Sequence, residues 1–115
     1  MKIYFLGTCA GTEPMPDRKH TSFVVECGER LYWFDAGEGC SYTAHNMGLD
    51  LLKVRKIVIS HPHMDHVGGL GNLLWNIRKL MWCKKLERLE DAMATIRKKF
   101  GRSVIGYGKQ KQKEE

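Results

Sequence analysis

The sequence predicts an α/β fold of the α+β kind, a strand-forming region followed by a long helical one. Three observations carry this. Short apolar runs with β-branched and aromatic residues recur at 2–6, 22–34 and 56–60, the composition of strands. The last run opens directly into His61-Pro62-His63-Met64-Asp65-His66. From Leu70 onward, apolar residues fall three and four apart, which is helical spacing. A chain of 115 residues fits one domain with a modest core.

Taken in order, residues 2–6 read as a short buried strand. Residues 7–12 are a small-residue loop, either a simple turn or a backbone able to approach a neighbouring site closely. A polar loop holding Asp17, Arg18 and His20 follows. Residues 22–27 and 29–34 form two strands joined through Gly28, a hairpin. The second ends at Asp35-Ala36-Gly37-Glu38-Gly39. A short helix over 40–47 stops at Gly48, a favourable residue just past a helix end. Residues 50–55 lead into the strand 56–60, whose apolar run 57–59 reads as buried and which delivers the histidines.

After Gly69 the positions Leu70, Leu73, Leu74, Ile77, Leu80, Met81, Leu86, Leu89, Met93, Ile96 and Phe100 predict helix over about 70–100. Unbroken, it would reach about 50 Å at the α-helical rise and overhang a small domain. A break is therefore expected near Trp82 to Lys85. Residues 101–115 read as a flexible polar tail.

The net charge of +6 is unevenly distributed. Residues 1–77 hold seven Lys/Arg against eight Asp/Glu, whereas residues 78–115 hold twelve against five. A basic tail on a near-neutral body can attract RNA or another anionic surface. Glu87, Glu90 and Asp91 interrupt the basic run, which favours an ordinary solvated helix face. Four cysteines, widely spaced and without a Cys-x-x-Cys pair, form neither a zinc ribbon nor an evident disulfide framework. No stretch approaches the roughly 18 apolar residues of a membrane span, and residues 1–11 make too short an apolar run for a secretory leader. The expected setting is a reducing cytoplasm with no membrane association.

Zinc takes imidazole and carboxylate ligands, and a catalytic site leaves a position open for water. The motif supplies three histidines and an aspartate within six residues. In an extended segment His61 and His63 project to one side, because side chains two apart share a face. Pro62 stiffens the backbone between them. Asp65 and His66, beyond a turn, can serve a second metal. Gly68-Gly69 then lets the chain turn into the next helix.

His-x-His-x-Asp-His after an apolar strand, followed by Gly-Gly-Leu, resembles the metal motif of the metallo-β-lactamase superfamily. Phe5-Leu6-Gly7-Thr8-Cys9-Ala10-Gly11 and Phe34-Asp35-Ala36-Gly37-Glu38-Gly39 make the chain similar to its ribonuclease Z branch, which cleaves transfer-RNA precursors at the 3′ end. Residues 40–42, Cys-Ser-Tyr, differ from the Thr-Gln pair usual there. The resemblance covers about residues 1–82. It implies the first half of an αββα sandwich, a fold of roughly 200 residues or more, with 83–115 a basic helical and flexible tail of uncertain origin.

The resemblance also implies chemistry. One zinc would take His61 and His63, the other Asp65 and His66, with manganese or iron as alternatives. Asp65 would also orient or deprotonate the nucleophile. Asp35 would stand behind the ligands and accept a histidine ring N–H, in competition with a plain helix N-terminal role for Asp35 and Glu38. Arg18 and His20, in a loop that borders the active site of relatives, would face substrate phosphate or simply solvent. Further metal ligands expected from a second half are not evident, since no histidine follows His66 and the only later aspartate is Asp91. Two ligands per zinc fall below the three typical of a catalytic zinc. The expectation is a truncated ribonuclease Z-like phosphodiesterase, weak or inactive alone, completed by a homodimer partner or a complementing second half. The competing expectations are another hydrolase of the superfamily acting on esters or thioesters, and a non-catalytic half-domain that binds metal or RNA.

Overall fold

Three strand-forming segments of alternating pattern, then one after a short helix, fold into a single sheet in the computed structural model, which describes residues 1–106. The strands are β1 (Lys2–Gly7), β2 (Ser22–Cys27), β3 (Arg30–Phe34) and β4 (Val54–Val58), in that spatial order. β1, β2 and β3 pair antiparallel, and β3 pairs parallel with β4. The β2–β3 turn needs only Gly28 and Glu29, with Cys27 opposite Arg30; Gly28 takes φ 58°, as a tight hairpin turn requires. The parallel β3–β4 pair needs a crossover. It is made by α1 (Cys40–Asn46) and a 3₁₀ turn at Leu51–Lys53, where the Leu52 N–H donates to the Asp50 carboxylate at 2.9 Å. The 3₁₀ turn brings the chain into the sheet at Val54, so β4 starts and ends two residues earlier than 56–60.

Register fixes which side chains share a face. Tyr4, Val24, Trp33 and Ile57 lie in one row across the sheet, and this face carries the core. Val24 and Trp33 are fully buried there, together with Leu31, Ala44 of α1 and Leu73. On the opposite face Phe5, Phe23, Phe34 and Val58 form a second row. Phe23 and Phe34 stack at 4.8 Å, and Phe5 tilts against Phe23 at 6.2 Å. Phe5 is nevertheless 62% exposed and Val58 44%. The expectation that residues 2–6 and 57–59 are buried thus corrects to one face only, because the described residues form one sheet, with layers packed on one side of it.

After β4 come α2 (Met64–Val67), a single helical turn, and α3 (Leu70–Phe100). The expected break near Trp82 to Lys85 does not occur, and α3 is continuous over 31 residues. Residues 72–100 contain neither proline nor glycine and are rich in Leu, Lys, Glu, Arg and Met, so local propensity continues the helix where overhang argued for a stop. Gly101 at φ 101° ends it, and its N–H donates to the Arg97 carbonyl at 2.8 Å. The chain divides into two compact units, Met1–Met81 and one beginning at Trp82. In the second, Met93 is buried and Arg97 Nε donates to the Ile105 carbonyl at 3.1 Å, while Trp82 and Leu89 are exposed. Of the polar tail predicted for 101–115, residues 107–115 lie outside the described residues. No helix of the described residues is long and apolar enough to cross a membrane.

All four cysteines are free thiols, Cys9 and Cys40 buried, Cys27 and Cys83 exposed. Burial pushes the Cys40 thiol up to about 11, against weaker opposing hydrogen bonds. We expect iodoacetamide to label Cys27 and Cys83 in the native protein and all four on denaturation, read by mass spectrometry. A raised thiol value means the folded state holds its proton more tightly than the unfolded chain. This contribution is complete below the ordinary value and is lost as pH rises towards 11. Stability should therefore fall with alkaline pH more steeply in the wild type than in Cys40→Ala, measured by urea denaturation from neutral pH upward.

Candidate metal centre

The ligand motif lies where β4 ends and α2 begins. His61 and His63 flank Pro62, and their rings meet edge to face at 4.6 Å between centroids. His63 precedes α2 with φ −77° and ψ 152°, so Asp65 and His66 lie within the helical turn itself. The His61 and His66 rings approach to 4.1 Å. Asp65 Oδ2 stands 3.2 Å from His66 Nε2, and the Gly11 N–H, 54 residues away in sequence, donates to the same oxygen at 2.8 Å. That N–H holds the Asp65 carboxyl below the usual carboxylate range against desolvation, with help from His66 and His61.

Asp35 lies behind His66 at the end of β3. Its backbone is left-handed (φ 53°), a region tolerated by aspartate more readily than by most side chains. The turn is stitched into the site by main-chain bonds: Asp35 N–H to Val58 O at 2.8 Å, Ala36 N–H to His66 O at 2.7 Å and Gly69 N–H to Ala36 O at 2.8 Å. A side chain at Gly69 would collide with the Gly37 carbonyl, so glycine permits this approach. The Asp35 carboxylate accepts from Ser60 N–H at 2.7 Å and Ser60 Oγ at 2.8 Å, and His66 Nδ1 lies 2.8 Å from Oδ2. Burial, the largest influence, pushes this carboxyl up. The Ser60 N–H, His66 and the Ser60 hydroxyl together outweigh it and hold the group below the ordinary range. The α1 N-terminus receives no side-chain cap and no acid in its first turn, so Asp35 and Glu38 are not capping acids.

Arg18 and His20 are not among the clustered rings. They line a separate cavity of about 460 Å³ with Thr12, Lys19 and Glu38. Met15 and Arg18 bridge across a turn in which Asp17 takes φ 60°, and His20 bridges to Cys9. Ser60 escapes the sequence reading, although its hydroxyl immediately before the first histidine was a signal. Gly11 lies in the 7–12 loop read as a turn or as backbone able to approach the site, and its N–H makes that approach at Asp65.

These donors fit a divalent metal, incompletely. With Nδ1 facing the Asp35 carboxylate, His66 turns Nε2 towards Asp65 Oδ2. Two acceptor atoms 3.2 Å apart need a proton or a metal ion beside them. No group of three or more His, Cys, Asp or Glu among the described residues is arranged to hold a metal by itself.

A sheet that feeds a His-x-His-x-Asp-His turn, with an acidic residue from a neighbouring strand behind it, defines a metallo-β-lactamase fold. The chain belongs to the family described as Anti-Pycsar protein Apyc1, which matches residues 1–94. It is homologous to ribonuclease Z proteins: that of Treponema pallidum is 39% identical over 74 residues, 64% of this chain and 24% of the relative. That of Pyrococcus furiosus is 33% identical over 86 residues, 70% of this chain and 28% of the relative. The crystal structure of human tRNase Z, short form, superimposes with a TM-score of 0.62 at 38% identity, over 67% of this chain and 29% of the human one. The metallo-β-lactamase fold protein YhfI of Bacillus subtilis gives 0.56 at 20% identity, a likeness of fold. The chain thus spans about a quarter of the length of the curated relatives it matches.

Proposed function

We propose that this chain carries half of the metal centre of a ribonuclease Z-like phosphodiesterase acting on RNA at a tRNA 3′ end, with zinc as the metal. The observation that carries the reading is the cluster of His61, His63 and His66 around Asp65, with Asp35 behind His66. His61 and His63 would hold one metal and Asp65 with His66 the other. Bound metal would supply hydroxide near neutral pH and polarise a phosphoryl oxygen. The chain's own residues do the rest. Gly11 keeps Asp65 ionised and oriented, and Asp35 fixes the His66 ring. The Asp65 carboxylate is placed to accept a proton from an attacking water. Arg18 and His20, in the neighbouring cavity, would meet substrate phosphate. Such chemistry belongs in a reducing cytoplasm, where the four thiols stay free.

A second reading is favoured by the incomplete donor set, namely metal or RNA binding without turnover until a partner copy or complementing half supplies the remaining ligands. Hydrolysis of an ester or thioester is the third. The test is zinc titration by calorimetry alongside cleavage of a tRNA precursor and a chromogenic ester, with metal content and oligomeric mass measured on the same sample. We expect zinc binding, weakened at least about tenfold in His63→Ala, and RNA cleavage that requires the metal. Zinc binding with no cleavage selects the second reading, ester turnover alone the third, and no zinc uptake by wild type rejects the metal centre.

A further inference from the structure

The hydrogen-bond partners around Ser60 leave one consistent arrangement of protons, and it reaches a histidine that Asp35 never touches. Ser60 Oγ has three neighbours: Asp35 Oδ2 at 2.8 Å, His61 Nδ1 at 3.0 Å and His66 Nδ1 at 3.4 Å. A hydroxyl has one proton to give and lone pairs to receive. The Asp35 carboxylate is ionised and can only accept, so the Ser60 proton points to Asp35. Pointing it at His61 instead would leave two oxygen lone pairs opposed at 2.8 Å. With its proton committed, Ser60 Oγ can only accept from His61, which requires the proton of that ring on Nδ1. His66 Nδ1, 2.8 Å from Asp35 Oδ2, is likewise a donor. The proton on one nitrogen of an imidazole decides which nitrogen is free.

We propose that Ser60 is a positioning residue that extends the hold of Asp35 from His66 to His61, placing a proton on Nδ1 of both rings so that Nε2 is the nitrogen left for a ligand. One carboxylate thereby prepares two ligands, the second through a hydroxyl. The arrangement also explains why Ser60 donates twice to Asp35, through N–H to Oδ1 and through Oγ to Oδ2. The paired bonds fix the carboxylate plane that faces His66. In this role a hydroxyl is required at position 60, and threonine supplies it as well as serine. The use of Nε2 as a metal ligand rests on the proposed function above; the tautomer itself does not.

The test is two-bond ¹H–¹⁵N correlation NMR of the histidine rings on the metal-free full chain, alkaline enough for neutral imidazoles. Wild-type His61 is expected in the Nδ1–H form. Ser60→Ala should release His61 to the Nε2–H form that a free imidazole favours, and Ser60→Thr should restore Nδ1–H. A wild-type His61 in the Nε2–H form, or one unchanged in Ser60→Ala, overturns the proposal, and the wild-type spectrum decides it even if the alanine variant fails to fold. Zinc titration of the same three proteins reads the metal question separately. Affinity about 10- to 100-fold weaker in Ser60→Ala, recovered in Ser60→Thr, is expected. Equal zinc affinity in all three confines Ser60 to the tautomer and removes its part in metal binding. A wild type that binds no zinc but shows the Nδ1–H form sinks the metal centre and leaves the tautomer relay standing.

Discussion

Asp35→Ala should lose about 3 kcal/mol of folding stability and weaken zinc binding at least about tenfold. The carboxylate is buried and is the acceptor for Ser60 N–H, Ser60 Oγ and His66 Nδ1. Ser60 is exposed and can turn to water, but His66, with its side chain 14% exposed, is left without its acceptor, and an unpaired buried donor costs about 1–3 kcal/mol. Alanine also tolerates the left-handed backbone at φ 53° less well than aspartate does. Asp35→Gly separates the two causes, because glycine keeps the backbone at ease and still removes the acceptor. Urea denaturation should rank wild type above Asp35→Gly, and Asp35→Gly above Asp35→Ala by about 1 kcal/mol. An alanine variant within about 0.5 kcal/mol of wild type would show that the buried network contributes nothing net.

Trp33→Ala is the substitution expected to cost the fold most. Trp33 is the largest fully buried side chain, at the centre of the row Tyr4, Val24, Trp33 and Ile57. Truncating a buried Trp to alanine costs about 3–5 kcal/mol, comparable with the whole stability of a small domain. A polar loss adds to the cavity. Trp33 Nε1 donates to Ser22 Oγ at 3.0 Å, and Ser22 Oγ donates to the Asp35 carbonyl at 2.7 Å. The core is thus tied to the residue that holds the His66 ring. Trp33→Ala should appear largely unfolded by far-ultraviolet circular dichroism. Trp33→Phe should fold, having lost the Ser22 bond, with a smaller loss of about 1 kcal/mol. Trp75 and Trp82 are 65% and 59% exposed, so the blue-shifted part of the fluorescence should come from Trp33 and vanish in both variants. A well-folded Trp33→Ala would show that the core face tolerates a large void.

Much of this was legible in the chain itself, for local reasons. Strand alternation, Gly28 in a tight turn, Gly48 beyond a short helix and the three-and-four spacing after Gly69 each follow from a few neighbouring residues. The ligand motif needs only six consecutive positions. Sequence reasoning failed where neighbours outside the local segment decide. It made 2–6 and 57–59 buried because they are apolar, but burial depends on what lies across the sheet. It broke α3 for the sake of a compact shape, whereas the uninterrupted helix formers from 72 to 100 kept it whole.

The sequence by itself determined the order of elements and singled out His61, His63, Asp65 and His66 as candidate ligands, because periodicity and donor chemistry are properties of residue type. Only the tertiary structure decided which atoms hold His61, Asp65 and His66. Gly11 reaches Asp65 through a backbone N–H that no side chain announces, and Ser60 acquires its meaning from an aspartate 25 residues away. A hydrogen bond is a matter of distance and direction between two atoms, and the positions of those atoms exist only once the sheet has brought β3 beside β4.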